Sequence, residues 1–512
     1  MTLLSISKVM CIISYFFLKV KGFVKIPDFY YNITIMSERN LAKNTIFYSG
    51  ALALQKALSF VFFIILARGL GAVNQGRFTF ALSFTSIFAV FLDLGVTQIL
   101  IRETARNKSQ TENYLSNIIG FKLVASLFLY AIIILVINLM GYPEMTRELV
   151  YVSGLVMLVD SLTLSVYGAI RGRQNLSYES IGTVGNQSIV LIIGGALLLL
   201  KVNPVLVMAV YLLSSLSNLL WSIFNLKRKF GVVAKIVFNW SIIKTLILWS
   251  LPLALAGIFS RIFSSTDIIL LSKLSDDRAV GIYSAAFKVA FALQFIALAF
   301  SASIYPAFSA YFAQAKDKLS QLFVKSMFWL MFVAGPLVFG VIAVADPAIV
   351  VIFGHQYADS ILSLQILIAS MLFAFLCFPI GAMLNACDKQ TRHTVNLGIT
   401  AAGSVVFNLI LIPIYSYNGA AIANLLCYVL LFVLGIGVVG RIIKYDWKFL
   451  LWSFIKIIFA CMVMFAAMWL IKTELNFILA IIAGIVVYFV MVYVLRLFTI
   501  QEIGRASCRE RV

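Results

Sequence analysis

Charged residues are scarce in this chain of 512 residues: they make up 12% of it, about half the share of a soluble domain. Proline is also rare, with 9 residues, while hydrophobic residues reach 62%. This composition excludes a soluble globular enzyme, a disordered tail protein and a fibrous repeat. The apolar runs are continuous and about 20 residues long, which is typical of membrane-spanning helices and not of the alternating strands of a barrel.

Motifs for chemistry are missing as well. The sequence has no P-loop, HExxH or GxSxG element. Its six cysteines show no CxxC spacing, which argues against a disulfide framework and a metal site. A membrane-embedded enzyme acting on lipid-linked sugars would need paired carboxylates or a sizeable outer loop, and neither is found. We predict no enzyme activity, no cofactor and no metal.

The apolar runs predict an all-α polytopic membrane protein with about 14 transmembrane helices. Loops on the predicted cytoplasmic side hold roughly three times as many Lys and Arg as the alternate loops, which places both termini in the cytoplasm. The net charge of +20 therefore reports topology, and we predict no nucleic-acid partner. We predict that residues 1–35 are a non-native or surface extension and that residues 503–512 are an artefactual tail.

The chain contains a weak internal repeat. A shift of 205 residues aligns residues 66–84 with residues 271–289 without gaps. Similar residues fall on each other in this register: Arg68 on Lys273, Gly76 on Gly281, Phe78 on Tyr283 and Ala81 on Ala286. Six spans separate the copies, so both copies have the same orientation and the pseudo-twofold axis lies along the membrane normal. Chance similarity between hydrophobic helices is the alternative.

The repeat predicts two parallel six-helix lobes that face a central cavity, as in transporters. The predicted domains are an N-terminal half (36–230, spans 1–6), a C-terminal half (231–445, spans 7–12) and a pair of appended helices (446–502).

Two basic residues lie near the middle of equivalent spans, where the repeat places Lys56 on Arg261. A central Lys or Arg costs about 2.5–3.5 kcal/mol on insertion scales, so such residues mark function or a buried partner. Polar residues share one face with each cation: Asn44, Gln55 and Ser59 in the first span, and Ser264 and Ser265 in the seventh.

We predict that these two polar faces line one cavity, where the cations hold an anionic group such as a pyrophosphate. One alternative is an interhelical ion pair with Asp267 or Asp93, and another is snorkelling of the cation to the membrane surface. Either carboxylate is also a candidate for binding a coupling proton or sodium ion. Asp160 is a third intramembrane carboxylate that could bind such an ion, and Lys288 is one more intramembrane base, to which the sequence alone assigns no role.

At these residues the chain resembles a known family. Segments 67–106, 265–289, 303–311 and 351–367 look like the two halves of polysaccharide biosynthesis proteins, the oligosaccharide-lipid flippases. They belong to the multidrug/oligosaccharidyl-lipid/polysaccharide exporter superfamily. The likeness covers about residues 38–445, and its motifs separate the family less cleanly from the multidrug exporters.

The resemblance implies a two-lobed fold that moves a polyprenyl-pyrophosphate-linked oligosaccharide across the cytoplasmic membrane by alternating access. It also implies a place in O-antigen, capsule or exopolysaccharide biosynthesis, beside glycosyltransferases, a polymerase and a chain-length regulator. From the family's cavity only the basic character carries over, to Lys56 and Arg261. A multidrug or cation antiporter and a non-transporting scaffold of a polysaccharide assembly complex remain the alternatives.

Overall fold

The computed structural model describes residues 35–474 and 477–497, and every regular element in these ranges is a helix. The all-α membrane fold class predicted from the apolar runs is therefore confirmed. The predicted N-terminal extension, up to residue 34, and the predicted tail at 503–512 lie outside the described residues.

The helices, in chain order, are α1 (Ile35–Asp93), α2 (Val96–Arg106), α3 (Thr111–Leu139), α4 (Glu144–Gly172), α5 (Ser177–Leu199), α6 (Pro204–Phe230), α7 (Trp240–Leu274), α8 (Asp277–Gln314), α9 (Lys316–Ala343), α10 (Ala345–Phe353), α11 (Ser360–Ala386), α12 (Gln390–Val439), α13 (Trp447–Glu474) and α14 (Phe477–Val494). Short 3-10 turns at Lys108–Gln110 and His355–Tyr357 precede α3 and α11.

Helix α1 is a hairpin and not one long rod. Its backbone breaks at Gly71, where φ is 71° and ψ is 170°. The rings of Phe62 and Phe78, on either side of the break, lie 5.8 and 5.6 Å from the ring of Tyr211. A straight helix would hold Phe62 and Phe78 about 24 Å apart along its axis. The chain therefore turns back at Gly71, and α1 has a first arm (35–70) and a second arm (72–93).

Helix α12 turns back in the same way at Ser416, where φ is 51°. A Cβ added to Gly419 would lie 2.2 Å from the carbonyl oxygen of Leu411, although a straight helix places these residues about 12 Å apart. In the described ranges, 11 helical segments are long and apolar enough to cross a membrane, and these two hairpins are among them. Helix α14 is shorter, and the exact number of fourteen spans stays a prediction.

The two repeat copies meet each other at their glycines. A Cβ on Gly76 would lie 1.8 Å from the carbonyl oxygen of Asp277, and a Cβ on Gly281 would lie 2.0 Å from that of Ala72. Gly76 and Gly281 are 205 residues apart, and so are Ala72 and Asp277. Each half therefore makes the same contact with the other, which is the reciprocity of a twofold axis.

Helix α7 belongs to both halves. Leu246, in its first turns, packs with Val96 and Leu115 of the N-terminal half. Leu271, near its end, packs in the core of the C-terminal half. The extended segment before α7 is tied to α3, because the backbone N–H of Lys235 donates to the hydroxyl of Ser116 at 3.1 Å. The start of α7 is thereby held against the N-terminal half.

Candidate functional site

Lys56 lies on the side of the first arm of α1 that faces away from the lipid. Leu54 and Val61 are 50% and 45% exposed, and their seven-residue spacing puts them on one face of the helix. Lys56 follows Leu54 by two residues, so it points about 200° away from that face. Its side chain is also exposed, and it forms no ion pair within the described residues. Lys56 is thus an exposed cation on the side of α1 opposite Leu54 and Val61, and not a buried ion pair.

A second lysine reaches this place from the C-terminal half. The ammonium of Lys288, on α8, lies 3.3 Å from the hydroxyl of Ser59 and 5.2 Å from the ring centroid of Phe63. Lys56 precedes Ser59 by three residues and therefore lies on the neighbouring turn of the same side of α1. The seam between α1 and α8 therefore places two cations from different halves on neighbouring turns, with the hydroxyl of Ser59 beside Lys288.

Arg261 lies on the other seam between the halves, where α7 meets the second arm of α1. Gly257 approaches Val90 there, and the hydroxyls of Ser265 and Ser86 lie 3.2 Å apart. The Arg261 side chain is exposed and has no ion pair within the described residues. The structure thus puts Lys56 and Arg261 on two separate seams, and Lys288 is the cation beside Lys56.

The predicted polar lining residues do not share one surface. Ser264 is exposed and lies about 180° from the exposed Leu255, on the inner face of α7. Ser265 is buried in the seam itself. Gln55 falls midway between Tyr48 and Phe62, both of which contact α5, so it faces α5. The side chain of Asn44 lies outside the described residues.

The Asp267 carboxylate is 3% exposed and is surrounded by neutral donors. It accepts hydrogen bonds from the hydroxyl of Tyr283 at 2.6 Å, the amide of Asn408 at 2.8 Å and the amide of Asn424 at 3.0 Å. These groups come from α8 and from both arms of α12. The carbonyl oxygen of the Asn408 side chain is buried without a hydrogen-bond partner. A buried carboxylate without a cationic partner, one of whose donors carries an unpaired amide oxygen, has ligand chemistry suited to a proton or a small cation.

Asp93 is already neutralised. Its carboxylate binds the ammonium of Lys122 at 2.7 Å and accepts a bond from the hydroxyl of Thr97. Lys122 is 1% exposed, and its ammonium also donates to the carbonyl of Ser161 at 3.0 Å. This pair links α1, α3 and α4 near the break at Gly95. Neither Asp93 nor Asp267 is the partner of Lys56 or Arg261.

Two of these findings are missed by the sequence. Lys122 is not among the intramembrane bases that we predict, because it stands near the predicted start of its span. Lys288 is found among them, but its repeat counterpart is Ser83, so the repeat gives no reason to pair it with Lys56. The signal that could have found both is the same: each is a basic residue within an apolar run, where it needs a partner or a ligand.

Residues 41–312 match the family model described as polysaccharide biosynthesis protein. Over 382 residues, the chain is 23% identical to the probable low-salt glycan biosynthesis flippase of Haloferax volcanii. The aligned region covers 72% of this chain and 77% of that protein. It is 22% identical to the capsular polysaccharide biosynthesis protein CapF of Staphylococcus aureus, over 75% of this chain and 95% of CapF.

Two solved structures share the fold. The lipid II flippase MurJ in an inward closed conformation matches with a TM-score of 0.72, at 15% identity, over 88% of this chain and 99% of that chain. An inward-facing multidrug resistance transporter of the MATE family matches with a TM-score of 0.61, at 15% identity, over 76% and 95%.

Proposed function

Because the chain belongs to the polysaccharide biosynthesis protein family, we propose that it flips a polyprenyl-pyrophosphate-linked oligosaccharide across the cytoplasmic membrane. The Haloferax volcanii relative is named a probable glycan biosynthesis flippase, and the solved structures of the same fold are a lipid flippase and a multidrug transporter. This chain is accordingly a multi-pass membrane transporter of that family and not an enzyme. The cargo, the alternating-access mechanism and the cytoplasmic location of both termini are our proposals. The cargo would come from glycosyltransferases and pass to a polymerase and a chain-length regulator, toward O-antigen, capsule or exopolysaccharide.

The observation that carries the proposal is the approach of Lys288, across the seam between the halves, to the turn of α1 that follows Lys56. Each cation costs about 2.5–3.5 kcal/mol to place at this depth, and their mutual repulsion adds to that cost. A bound pyrophosphate would relieve the repulsion and accept hydrogen bonds from both ammonium groups. Charge-assisted hydrogen bonds contribute about 1.5–3 kcal/mol each, so the site favours a phosphorylated headgroup.

The cargo poses a physical problem that this arrangement solves. The sugar hydroxyls and the pyrophosphate are costly to dehydrate in hydrocarbon, whereas the polyprenyl tail is soluble there. We propose that the headgroup enters the inner cavity from the cytoplasmic side, with its pyrophosphate between Lys56 and Lys288 and its sugar toward Arg261 and Ser264. Rocking of the two halves then exposes the headgroup to the outside while the tail stays in the lipid.

We propose Asp267 as the site of the coupling ion, a proton or a sodium ion. Its carboxylate has three neutral donors, and one of these donors, Asn408, carries a buried side-chain oxygen without a hydrogen-bond partner. The pair of Asp93 with Lys122 removes the other candidate, because a cation there would have to displace the ammonium. An antiporter of cationic drugs is disfavoured, because Lys56, Lys288 and Arg261 would repel its cargo.

Cells in which this chain is replaced by charge-neutral variants test the proposal. We expect Lys56→Gln and Lys288→Gln to reduce surface polysaccharide and to make lipid-linked repeat units accumulate on the inner leaflet. Lys456→Gln is the matched control, because Lys456 is another intramembrane lysine, but it binds the carbonyl of Leu495 in the appended helices. Normal surface polysaccharide in both test variants, at matched membrane levels, would refute the cargo site.

A further inference from the structure

On the face of the molecule that carries the break at Gly71, an ion pair of Arg77 with Asp277 at 2.7 Å joins the halves, and two further contacts place a cation of one half on the end of a helix of the other. The first of these two helix-end contacts starts at Arg68, at the end of the first arm of α1. Its guanidinium donates to the carbonyl oxygens of Val351, and of Ile352 at 2.9 Å. These carbonyls belong to the last turn of α10, where main-chain oxygens have no partner within the helix and carry its negative dipole end. A cation of the N-terminal half thus caps a helix of the C-terminal half.

The second contact repeats this chemistry in the opposite direction. Lys273 is the repeat counterpart of Arg68, at the end of α7. Its ammonium donates to the carbonyl of Met140 at 2.9 Å, at the end of α3, and lies 5.7 Å from the ring centroid of Tyr142. A cation of the C-terminal half thus caps a helix of the N-terminal half.

A tyrosine accompanies each cation. The hydroxyl of Tyr357 donates to the carbonyl of Ala67, next to Arg68, at 3.1 Å, whereas Tyr142 contacts Lys273 through the face of its ring. A cation on the end of a helix of the other half, with a tyrosine beside it, is therefore present twice. The two cations are repeat counterparts, although the two tyrosines make different contacts.

The two contacts differ in strength. Residues 345–357, which are α10 and the following 3-10 turn, form a lid over the first arm of α1, with Phe353 packed edge-on against Phe63 at 5.9 Å. The lid starts from a fixed point, since Lys472 of α13 binds Asp346 at 2.7 Å. The N-terminal half offers only the turn at 140–143 in the equivalent place. The lid held by Arg68 is the more extensive closure.

We propose that Arg68 and Lys273 are the latches that keep the outer side closed, and that release of the 345–357 lid from Arg68 is the main step in opening it. This inference rests on the alternating access proposed above. The predicted topology places this face outside. The latches suit a gate, because each is a charged group on backbone oxygens at the surface, where water can replace either partner at small cost. A contact made only of apolar side chains has no hydrogen bond that water could replace in this way.

The test measures access to the cavity from outside. Ser264→Cys supplies the reporter, in a chain whose own six cysteines are replaced, and a membrane-impermeant maleimide is added to intact cells. We expect Arg68→Gln to raise the labelling rate about tenfold, which is what loss of one charge-assisted contact allows. Lys273→Gln should raise it less, and Arg68→Lys should stay near the parent rate.

Arg278→Gln is the matched control. Arg278 binds Asp359 at 2.7 Å on the same face, but both residues belong to the C-terminal half, so its loss leaves the seam intact. We expect unchanged labelling. A second variant carries Arg68→Cys and Ile352→Cys beside the reporter: rapid labelling, read at position 264 alone, should fall to the parent rate once a short bifunctional thiol reagent joins the other two cysteines.

Two results would overturn the latch: Arg68→Gln labelled at the parent rate, or labelling that the cross-link leaves unchanged. Labelling requires no cargo, so it is independent of the proposed substrate. A tenfold increase in a protein that moves no lipid-linked glycan would refute the cargo and leave the latch. Transport of the glycan by the parent chain, with unchanged labelling in Arg68→Gln, would refute the latch and leave the cargo.

Discussion

The contact of Gly76 with the C-terminal half gives a prediction that follows directly from a distance. The Cβ of Gly76→Ala would lie 1.8 Å from the carbonyl oxygen of Asp277, whereas a carbon and an oxygen approach to about 3.3 Å. The obstacle is a main-chain atom in a helix and cannot rotate away. The two halves must therefore separate locally by about 1.5 Å, and overpacking of this kind costs about 1–3 kcal/mol.

Gly185→Ala isolates that cost. Gly185 is also helical, but a Cβ there would meet nothing within 4 Å. Both variants gain the same helix propensity, up to about 1 kcal/mol, so their difference reports the clash alone. We expect Gly76→Ala to be less stable than Gly185→Ala by about 1–3 kcal/mol, seen as a lower midpoint of thermal unfolding in the same detergent.

The double variant with Gly281→Ala provides a sharper check. A Cβ on Gly281 would lie 2.0 Å from the carbonyl of Ala72, in the same contact. Once one alanine has separated the halves, the second finds most of its space already made. The loss of stability in the double variant should therefore be clearly smaller than the sum of the losses in the two single variants. Additive losses, or a Gly76→Ala protein as stable as Gly185→Ala, would show that the halves do not meet as described.

Two further predictions concern the buried charges. Lys122→Met should lower the stability of the folded protein by about 3–5 kcal/mol, because it leaves the Asp93 carboxylate without its ammonium partner. The double variant with Asp93→Asn should recover most of this loss. Midpoints of thermal unfolding of the parent chain and the two variants measure both effects. Asp267→Asn should keep the fold, since an amide can fill the same space, but should abolish the dependence of transport on the ion gradient; transport that still follows the gradient would exclude Asp267 as the coupling site.

The fold class was within reach of the sequence, because burial in lipid imposes apolar runs of a fixed length. The repeat was also within reach: its register pairs Gly76 with Gly281, and the structure brings these two glycines into reciprocal contact. The hairpins at Gly71 and Ser416 follow from local breaks in long apolar stretches.

The site was only partly predictable. Lys56 and Arg261 stand out because charge is costly in lipid, and a single sequence reveals that cost without the partner. Lys288 approaches Lys56 only because α1 and α8 pack across the seam, a long-range contact that no spacing encodes. The donors to Asp267 are separated from it by up to 157 residues in the chain, and their role depends on the α12 hairpin.

The central claim is that Lys56 and Lys288 hold the pyrophosphate of a lipid-linked oligosaccharide during its transfer. Purified protein in proteoliposomes, with a fluorescent polyprenyl-pyrophosphate oligosaccharide in one leaflet, tests it most directly. We predict transfer by the parent chain and by Lys456→Gln, and at least about tenfold slower transfer by Lys56→Gln and Lys288→Gln. Equal transfer rates in all four proteins, or no transfer by the parent chain, would contradict the claim.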